Sequence, residues 1–525
     1  MVYQLKTLVI LTILAFTALY FFKEKLLLCM SEDELKRYKW AWFWVTAWSL
    51  FAPSVWPLMI GMAAIVFKFK SDDAVANIGL FFVTCFAIPN VYLYVYLGPI
   101  TLIKLDTVVI CSLVTLVPLL WSSLKKFPLF SIATDKYVLA YFVTVFILDM
   151  RASSTTEVMR EFLANFFRYI TPYIVVSRNI ETIRDHHRLL GAIMFAFCVF
   201  TLVCAYESII KQYLYTITKF KYRLVHPVML VGNYRAGFLR AMGPIASPIS
   251  LGIFLSFLIV ITLYLSNYTK KSLKGLSSLF LAIFSLIFTF SRGSWMGAIA
   301  TSFLFTLKNE KAFAKFFKLG AWVVFALVAI SFTPYIEKVE ELIPSKFKGE
   351  EASRTDTFDY RERLMENSII VIKENPVFGN PNFMSHPSME EMKQGQGIID
   401  VVNTYLAVVL NYGFVGLSLY LLAILPNMIS AYFLSQKLPE AYSVVSRYAK
   451  MIAFNTLGLL IMIYNMSPLS YLPVYIWVLV AIQASLVRLL VRAAAEKTKP
   501  KTLDPNSTYT DSIFESAMRI KKRAN

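Results

Sequence analysis

The chain has 525 residues, of which 57% are hydrophobic and 16% are charged. Soluble domains contain roughly 45–50% apolar and about 25% charged residues, so this composition excludes a soluble, a disordered and a collagen-like protein and favours many membrane-spanning helices. The net charge of +19 is typical of basic cytoplasmic loops in a membrane protein, and we expect no nucleic-acid partner. The five cysteines have neither metal-ligand nor disulfide spacing, and we expect no metal and no other cofactor.

Apolar runs of spanning length recur from one end of the chain to the other and predict an all-α polytopic membrane protein with roughly 12–14 transmembrane helices. The run 40–67 contains Pro53 and Pro57, which predict either one kinked span or a short hairpin. The segment 158–177 carries three charged residues and is the weakest span. The predicted spans are 5–22, 40–67, 77–97, 101–121, 135–150, 158–177, 188–209, 249–266, 274–290, 293–307, 317–333, 401–433, 448–467 and 470–491.

Short loops rich in lysine and arginine predict the orientation of these helices. Loops 122–136, 266–275 and 308–318 and the tail after residue 490 are expected in the cytoplasm. Counting spans between them places 210–248 and 334–400 outside. Residues 23–39 fall outside if 40–67 is one span and inside if it is a hairpin. Within 334–400, residues 360–374 predict a helix that lies on the membrane or caps a cavity.

Arginines that could bind an anion cluster near the predicted outer face. Arg235 and Arg240 precede the span at 249, Arg292 lies between two short spans, and Arg361 lies in the large outer loop. Boundary arginines often only extend towards lipid headgroups. However, arginine also grips phosphate through two parallel hydrogen bonds and keeps its charge. Several arginines on one face therefore suggest an anionic ligand presented from the lipid, such as a lipid-linked diphosphate. Glu207, at the end of an apolar run, is a weaker candidate that could simply be solvated.

Four segments follow one another in a fixed order: RAMGPIASPISLG, FTFSRGSWMG, the outer loop with YRERL and ENPVFGNPNF, and DVVNTYLAVVLNYGFVGL. In this order they resemble the O-antigen ligase and polysaccharide polymerase superfamily of bacterial inner-membrane glycosyltransferases of the GT-C type. The resemblance covers roughly residues 230–420. It implies inverting, metal-independent transfer of a glycan from undecaprenyl diphosphate to an acceptor hydroxyl at the periplasmic face. The implied partners are the lipid-linked donor and acceptor oligosaccharides, membrane lipid and, as a candidate, a chain-length regulator.

The same resemblance assigns roles to individual residues. Arg240 and Arg292 are similar to its two diphosphate-binding arginines, with Arg235 beside them, and Arg361 to the arginine that opens the loop helix. Asn403 and Tyr405 match the motif that ends the loop, but Val402 stands where the family usually has histidine.

The missing histidine favours a polymerase of exopolysaccharide or O-antigen over a ligase that transfers glycan to lipid A core. Two other residues could act as the base. His386 carries an imidazole, a side chain that commonly acts as a base in enzymes, but could be a solvated loop residue, whereas Asp400 adjoins Asn403 but could be a helix cap. Asp400 is preferred. A polysaccharide flippase is the rival class, although it should show two similar halves and charges near the bilayer midplane.

The chain is accordingly expected to contain four parts. Membrane helices over 1–333 include the periplasmic segment 210–248, and a large periplasmic loop with a helix covers 334–400. Further membrane helices cover 401–492, and 493–525 form a flexible cytoplasmic tail. We also expect the loop to be mobile and to close over the site, because it contains the turn residues Gly379, Pro381, Gly395 and Gly397.

Overall fold

The computed structural model describes residues 2–98, 100–222, 234–235, 237–245, 247–269, 273–307, 352–393, 399–467 and 471–496. The predicted span 317–333, the basic loop 308–318, the first part of the outer loop with Gly395 and Gly397, and most of the tail lie outside these residues.

The described chain is almost entirely helical. The first half contains α1 (Val2–Cys29), α2 (Glu32–Phe51), α3 (Val55–Lys68), α4 (Ala74–Cys85), β1 (Tyr92–Leu97), β2 (Ile100–Asp106), α5 (Thr107–Thr115), α6 (Val117–Lys126), α7 (Asp135–Asp149), α8 (Thr155–Asn165), α9 (Thr171–Asn179), α10 (Ile183–Cys198), α11 (Thr201–Ile210) and α12 (Thr216–Lys221). The second half contains β3 (Tyr234–Arg235), β4 (Phe238–Leu239), α13 (Pro248–Leu265), α14 (Leu273–Ile287), α15 (Arg292–Leu307), α16 (Ala352–Glu374), α17 (Pro387–Glu390), α18 (Thr404–Gln436), α19 (Ser443–Ile463) and α20 (Leu472–Glu496).

Six of the described helices are long and apolar enough to cross a membrane, and the pair α5 and α6, bent by 54°, would make a seventh. The six are Val2–Cys29, Ile183–Ile210, Pro248–Leu265, Thr404–Gln436, Glu440–Ile463 and Leu472–Ala495. The all-α polytopic class is confirmed. Among the described residues this number is below the predicted 12–14, because several apolar runs form helices of 10–17 residues, such as Val55–Lys68 and Ala74–Cys85, and because the predicted span 317–333 is not among these residues.

The predicted spans 77–97 and 101–121 are wrong as continuous helices. Helix α4 ends at Cys85, and β1 and β2 form an antiparallel hairpin in which Tyr92 pairs with Asp106 and Leu97 with Ile100. The physical reason is local. Pro89 cannot continue a helix, and the following residues, YLYVYL, alternate aromatic and aliphatic side chains with the period of a strand.

The run 40–67 forms a helical hairpin, because α2 ends just before Pro53 and α3 begins at Val55. Lys25, near the end of α1, donates from Nζ to the Gly275 carbonyl at 2.8 Å and to the Ser278 hydroxyl at 2.7 Å. Residues 23–39 therefore lie on the same side of the helix bundle as the basic loop 266–275. We call this side the Lys25 face.

Close helix contacts build the opposite side. A Cβ added at Gly252 would lie 2.6 Å from Ser294 Oγ, and one at Gly297 would lie 2.3 Å from Met462 Cγ. Small residues allow this approach of helices α13, α15 and α19. As a result, the first turns of α13 and α15 lie side by side, next to the last turn of α19. We call this side of the helix bundle, where α13 and α15 begin and α19 ends, the arginine face.

Candidate functional site

Three of the predicted arginines converge at the start of α15. Arg240 Nε donates to the Thr289 carbonyl at 3.2 Å, and Arg235 Nη1 donates to the Phe290 carbonyl at 2.8 Å. Both carbonyls belong to the turn that leads directly into Arg292. The backbone N–H of Ala241 also donates to the Phe288 carbonyl at 2.9 Å. The segment after β4 is therefore laid along the turn before α15, which brings all three side chains into one region.

The surroundings of Arg240 are unfavourable for a positive charge. Burial lowers the pKa of Arg240 to about 10, and the charges of Arg235 and Arg292 act in the same direction. The group is still protonated at neutral pH. Within the described part of the chain, no carboxylate forms an ion pair with Arg240. A buried cation beside two like charges is stabilised when an anion binds among them, so this cluster is suited to a phosphate-type ligand.

Glu207 holds the segment that carries Arg240. This carboxylate is fully buried and accepts hydrogen bonds from the backbone N–H groups of Met242 at 3.1 Å and Gly243 at 3.0 Å, and from Leu214 N–H at 3.1 Å. The Tyr213 hydroxyl adds a bond to the Arg240 carbonyl at 3.2 Å. Glu207 is thus a positioning group and not a solvated residue, because its oxygens are occupied by the backbone that they orient.

Arg361, the fourth arginine, contacts the same face through Asn465, a residue that no sequence motif indicated. Arg361 Nη1 donates to Asn465 Oδ1 at 3.2 Å. Asn465 follows the end of α19, and a Cβ added at Gly293 would lie 3.7 Å from Asn465 Cβ. Gly293 is the neighbour of Arg292 in the chain. Asn465 therefore joins the helix of the outer loop to the start of α15.

Asp400 lies beside Arg361. Its backbone is clamped by the Tyr360 hydroxyl, which donates to the Asp400 carbonyl at 3.1 Å and accepts from the Asp400 N–H at 3.2 Å. The Ser467 hydroxyl donates to Asp400 Oδ1. Burial lowers the pKa of Arg361, and the negative charge of Asp400 opposes that shift. The preferred base thus lies next to a cation on the arginine face.

Helix α18 begins at Thr404, so residues 399–403 are not helical and Asp400 is not the helix cap. That role belongs to Asn403, whose Oδ1 accepts from the N–H groups of Tyr405 at 3.0 Å and Leu406 at 3.2 Å. The Tyr405 hydroxyl donates to the Leu460 carbonyl of α19 at 2.7 Å. Both motif residues therefore fasten the start of α18. Their proposed catalytic roles stay predictions.

His386 lies at the other end of α16. Its Nε2 is 3.2 Å from Glu374 Oε2, and its Nδ1 is 2.7 Å from the Ser388 hydroxyl. Glu374 and Arg361 are 13 residues apart in one helix, which corresponds to about 20 Å at about 1.5 Å per residue. The structure therefore brings Asp400 to Arg361 but keeps the ring contacts of His386 far from that pair.

The first turns of three helices add to the positive potential of this face. Ser294 of α15 donates to the Ile249 carbonyl of α13 at 3.2 Å, and Thr404 of α18 donates to the Met466 carbonyl at 2.7 Å. Met466 is the next residue after Asn465, which contacts both Arg361 and Gly293. The N-terminal ends of helices attract anions through their free N–H groups and their dipoles, so α13, α15 and α18 complement the arginines.

Residues 277–421 match the family model described as O-antigen ligase. The match supports the resemblance to the O-antigen ligase and polymerase superfamily over this part of the chain. Six of the candidates fall within the match, whereas the arginines before α13 fall outside it. The six are Arg292, Arg361, His386, Asp400, Asn403 and Tyr405. No curated protein matches the chain. The O-antigen ligase match supports a membrane glycosyltransferase-type activity.

Within the O-antigen ligase match, the part of the outer loop that directly follows α16 is docked onto a break in α18. Gly413 has φ 65° and ψ −168°, which interrupt the helix. The loop replaces the missing helical bonds, because Asn380 N–H donates to the Leu410 carbonyl at 2.7 Å and Phe414 N–H donates to the Pro376 carbonyl at 2.9 Å. Arg151 also donates to the Gly379 carbonyl at 3.0 Å. This part of the predicted mobile loop, which includes Gly379, is an anchor. The mobility of the remainder stays a prediction.

Proposed function

We propose that the chain is a membrane glycosyltransferase that polymerises undecaprenyl-diphosphate-linked oligosaccharide repeats at the periplasmic face of the bacterial inner membrane. The observation that carries the proposal is the buried Arg240 held beside Arg235 and Arg292. Fixed positive charge of this kind stabilises a departing diphosphate without a metal, since the charge is in place before the reaction begins.

In the proposed reaction, the bond between the donor sugar's anomeric carbon and the diphosphate oxygen breaks, and the acceptor hydroxyl attacks from the opposite side of the ring. Negative charge grows on the leaving diphosphate next to Arg240 and Arg292. Asp400 orients the acceptor hydroxyl and takes its proton, while Arg361 limits the energetic cost of the neighbouring negative charge. The products are the elongated glycan, which stays attached to the lipid carrier of the acceptor, and the free undecaprenyl diphosphate that carried the donor glycan.

Transfer to lipid A core, an O-antigen ligase activity, is the second candidate. The description of the matched family model favours it. Val402 favours polymerisation, because it occupies the position of the family's usual histidine and has no proton acceptor. The two reactions use the same donor and differ in the acceptor.

The glycans of a deletion strain distinguish the two reactions. Accumulated single lipid-linked repeats support polymerisation, and long glycans that are not joined to lipid A core support ligation. Complementation then tests the site. Arg292→Ala should fail and Arg292→Lys should rescue poorly, because lysine lacks the two-pronged donor geometry. Arg184→Ala, at an exposed arginine on the Lys25 face, is the matched control. Normal glycan from Arg292→Ala at normal protein level would refute the assignment.

The proposed orientation has its own test. All five cysteines are buried, so a new cysteine at the exposed Ser385 can be labelled selectively. A membrane-impermeant thiol reagent should modify Ser385→Cys in intact spheroplasts if the outer loop is periplasmic. Labelling only after the membrane is broken would contradict this orientation.

A further inference from the structure

The hairpin of β1 and β2 displays a row of tyrosines that the proposed reaction does not use. Tyr92, Tyr94 and Tyr96 alternate along β1 and are 43%, 41% and 62% exposed. Alternate residues of a strand lie on one side of the ribbon, although the pairing is irregular between Val95 and Tyr96. The rings of Tyr94 and Tyr96 are 6.5 Å apart between centroids and tilted by 37°. The strand thus presents a continuous aromatic surface.

Charged groups accompany this row. Lys104 Nζ lies 5.4 Å from the Tyr92 ring centroid and 6.0 Å from that of Tyr94, and it donates to Glu161 Oε1 of α8 at 2.7 Å. The edge backbone groups of a two-stranded ribbon need polar partners or water, and one of them, the Thr101 carbonyl of β2, accepts from Arg160 Nη1 of α8 at 3.2 Å. The tyrosine side of the hairpin is therefore suited to the aqueous boundary and not to hydrocarbon. Aromatic rings next to hydrogen-bonding charges suit sugars, which have apolar C–H faces and polar rims.

The base of the hairpin is continuous with the candidate site. The Tyr471 hydroxyl donates to the Ile88 carbonyl at 2.6 Å, four residues before β1. Tyr471 also lies four residues after Ser467, which contacts Asp400. The chain that leads into the hairpin therefore contacts a residue that lies only four positions along the sequence from Ser467, the partner of Asp400.

We propose that the Tyr92–Tyr94–Tyr96 row binds the glycan chain as it leaves or approaches the reaction centre, by stacking successive sugars on its rings. The inference rests on the proposed function, since it requires that the chain acts on a glycan. It adds a binding surface outside the diphosphate site. A surface of this kind retains a long chain between transfers and so controls product length, because its contacts accumulate as the chain grows.

Direct binding tests the surface. The full chain is purified in lipid nanodiscs, and its Kd is measured by fluorescence anisotropy with labelled oligosaccharides released by mild acid from the host's own polymer. Tyr94→Ala and Tyr96→Ala should each weaken binding of multi-repeat oligosaccharides by roughly three- to tenfold, the effect of losing one buried apolar ring face. Tyr94→Phe should bind normally, because its ring is retained. Ile103→Ala, on the other side of the ribbon, controls for simple loss of an apolar membrane contact.

Glycan profiles from complemented deletion strains give the second readout. The Tyr94→Ala and Tyr96→Ala double variant should make polymer with a shorter length distribution at normal protein level. Wild-type Kd and wild-type length in this double variant would overturn the inference, as would an equal effect of Ile103→Ala. Failure of the proposed function looks different, because even the wild-type protein would then bind no oligosaccharide and the deletion strain would make normal glycan.

Discussion

Substitution of Gly413 by alanine should release the outer loop from α18. A Cβ at Gly413 would lie 2.2 Å from the Val377 carbonyl oxygen and 2.3 Å from its carbon, which are backbone atoms that a rotamer change cannot move. The residue also has a left-handed φ of 65°. Gly98 supplies a matched control, because its φ is 58° but an added Cβ would meet nothing within 4 Å.

The expected magnitude follows from these contacts. A non-glycine residue at positive φ costs roughly 1–2 kcal/mol, and both Gly413→Ala and Gly98→Ala place an alanine at positive φ. Only Gly413→Ala must also separate the loop from the helix. That separation breaks the hydrogen bonds from Asn380 N–H to the Leu410 carbonyl and from Phe414 N–H to the Pro376 carbonyl. Each of these bonds stabilises the docked loop by about 1 kcal/mol. The local free energy of opening should therefore fall by about 3–4 kcal/mol.

Hydrogen–deuterium exchange of the full chain in nanodiscs measures this opening. Peptides that cover Asn380 and Phe414 should exchange more than about 100-fold faster in Gly413→Ala, while Gly98→Ala leaves those peptides at the wild-type rate. If the two variants leave the peptides equally protected, the loop is not held by the break in α18 and the reasoning fails.

Two further predictions concern the arginine face, and a third concerns Lys219 of α12, a buried lysine near the Glu207 carboxylate. Asp400→Asn should abolish polymer formation while His386→Ala stays within about twofold of wild type; the opposite result would make the histidine the base. Asn465→Ala removes a hydrogen bond to charged Arg361 and should raise the donor KM roughly tenfold at normal protein level. An unchanged KM would show that this contact of Arg361 does not contribute to donor binding. Burial lowers the pKa of Lys219 to about 8, below its unfolded value of about 10.4. The unfolded chain then binds more protons between these two values, so wild-type stability should rise with pH across that window relative to Lys219→Met. If the melting temperatures of the two proteins change in the same way between these pH values, the predicted rise in stability is wrong.

Positive charge on one face was readable from the residue types, but its partners were not. Arg235, Arg240 and Arg292 stand out as arginines close to the ends of apolar runs, and Arg361 stands out in the large outer loop. Nothing in the sequence identifies Asn465 as a site residue, because an asparagine after an apolar helix is common. Its contact with Arg361 joins residues 104 positions apart in the chain, and no local spacing can reveal a contact of that range.

The sequence by itself determined the class of the protein, the positions of the long helices and the candidate arginines. These features follow from composition and from local periodicity, which each segment carries independently of the others. The hairpin after α4 also has local signals, namely Pro89 and the alternation in YLYVYL, although hydrophobicity alone does not separate a buried helix from a strand pair. Tertiary structure decided the separation of Asp400 from His386. It also decided the role of Glu207, since a carboxylate becomes a positioning group only when the backbone of a distant segment, here Met242 and Gly243, is folded against it.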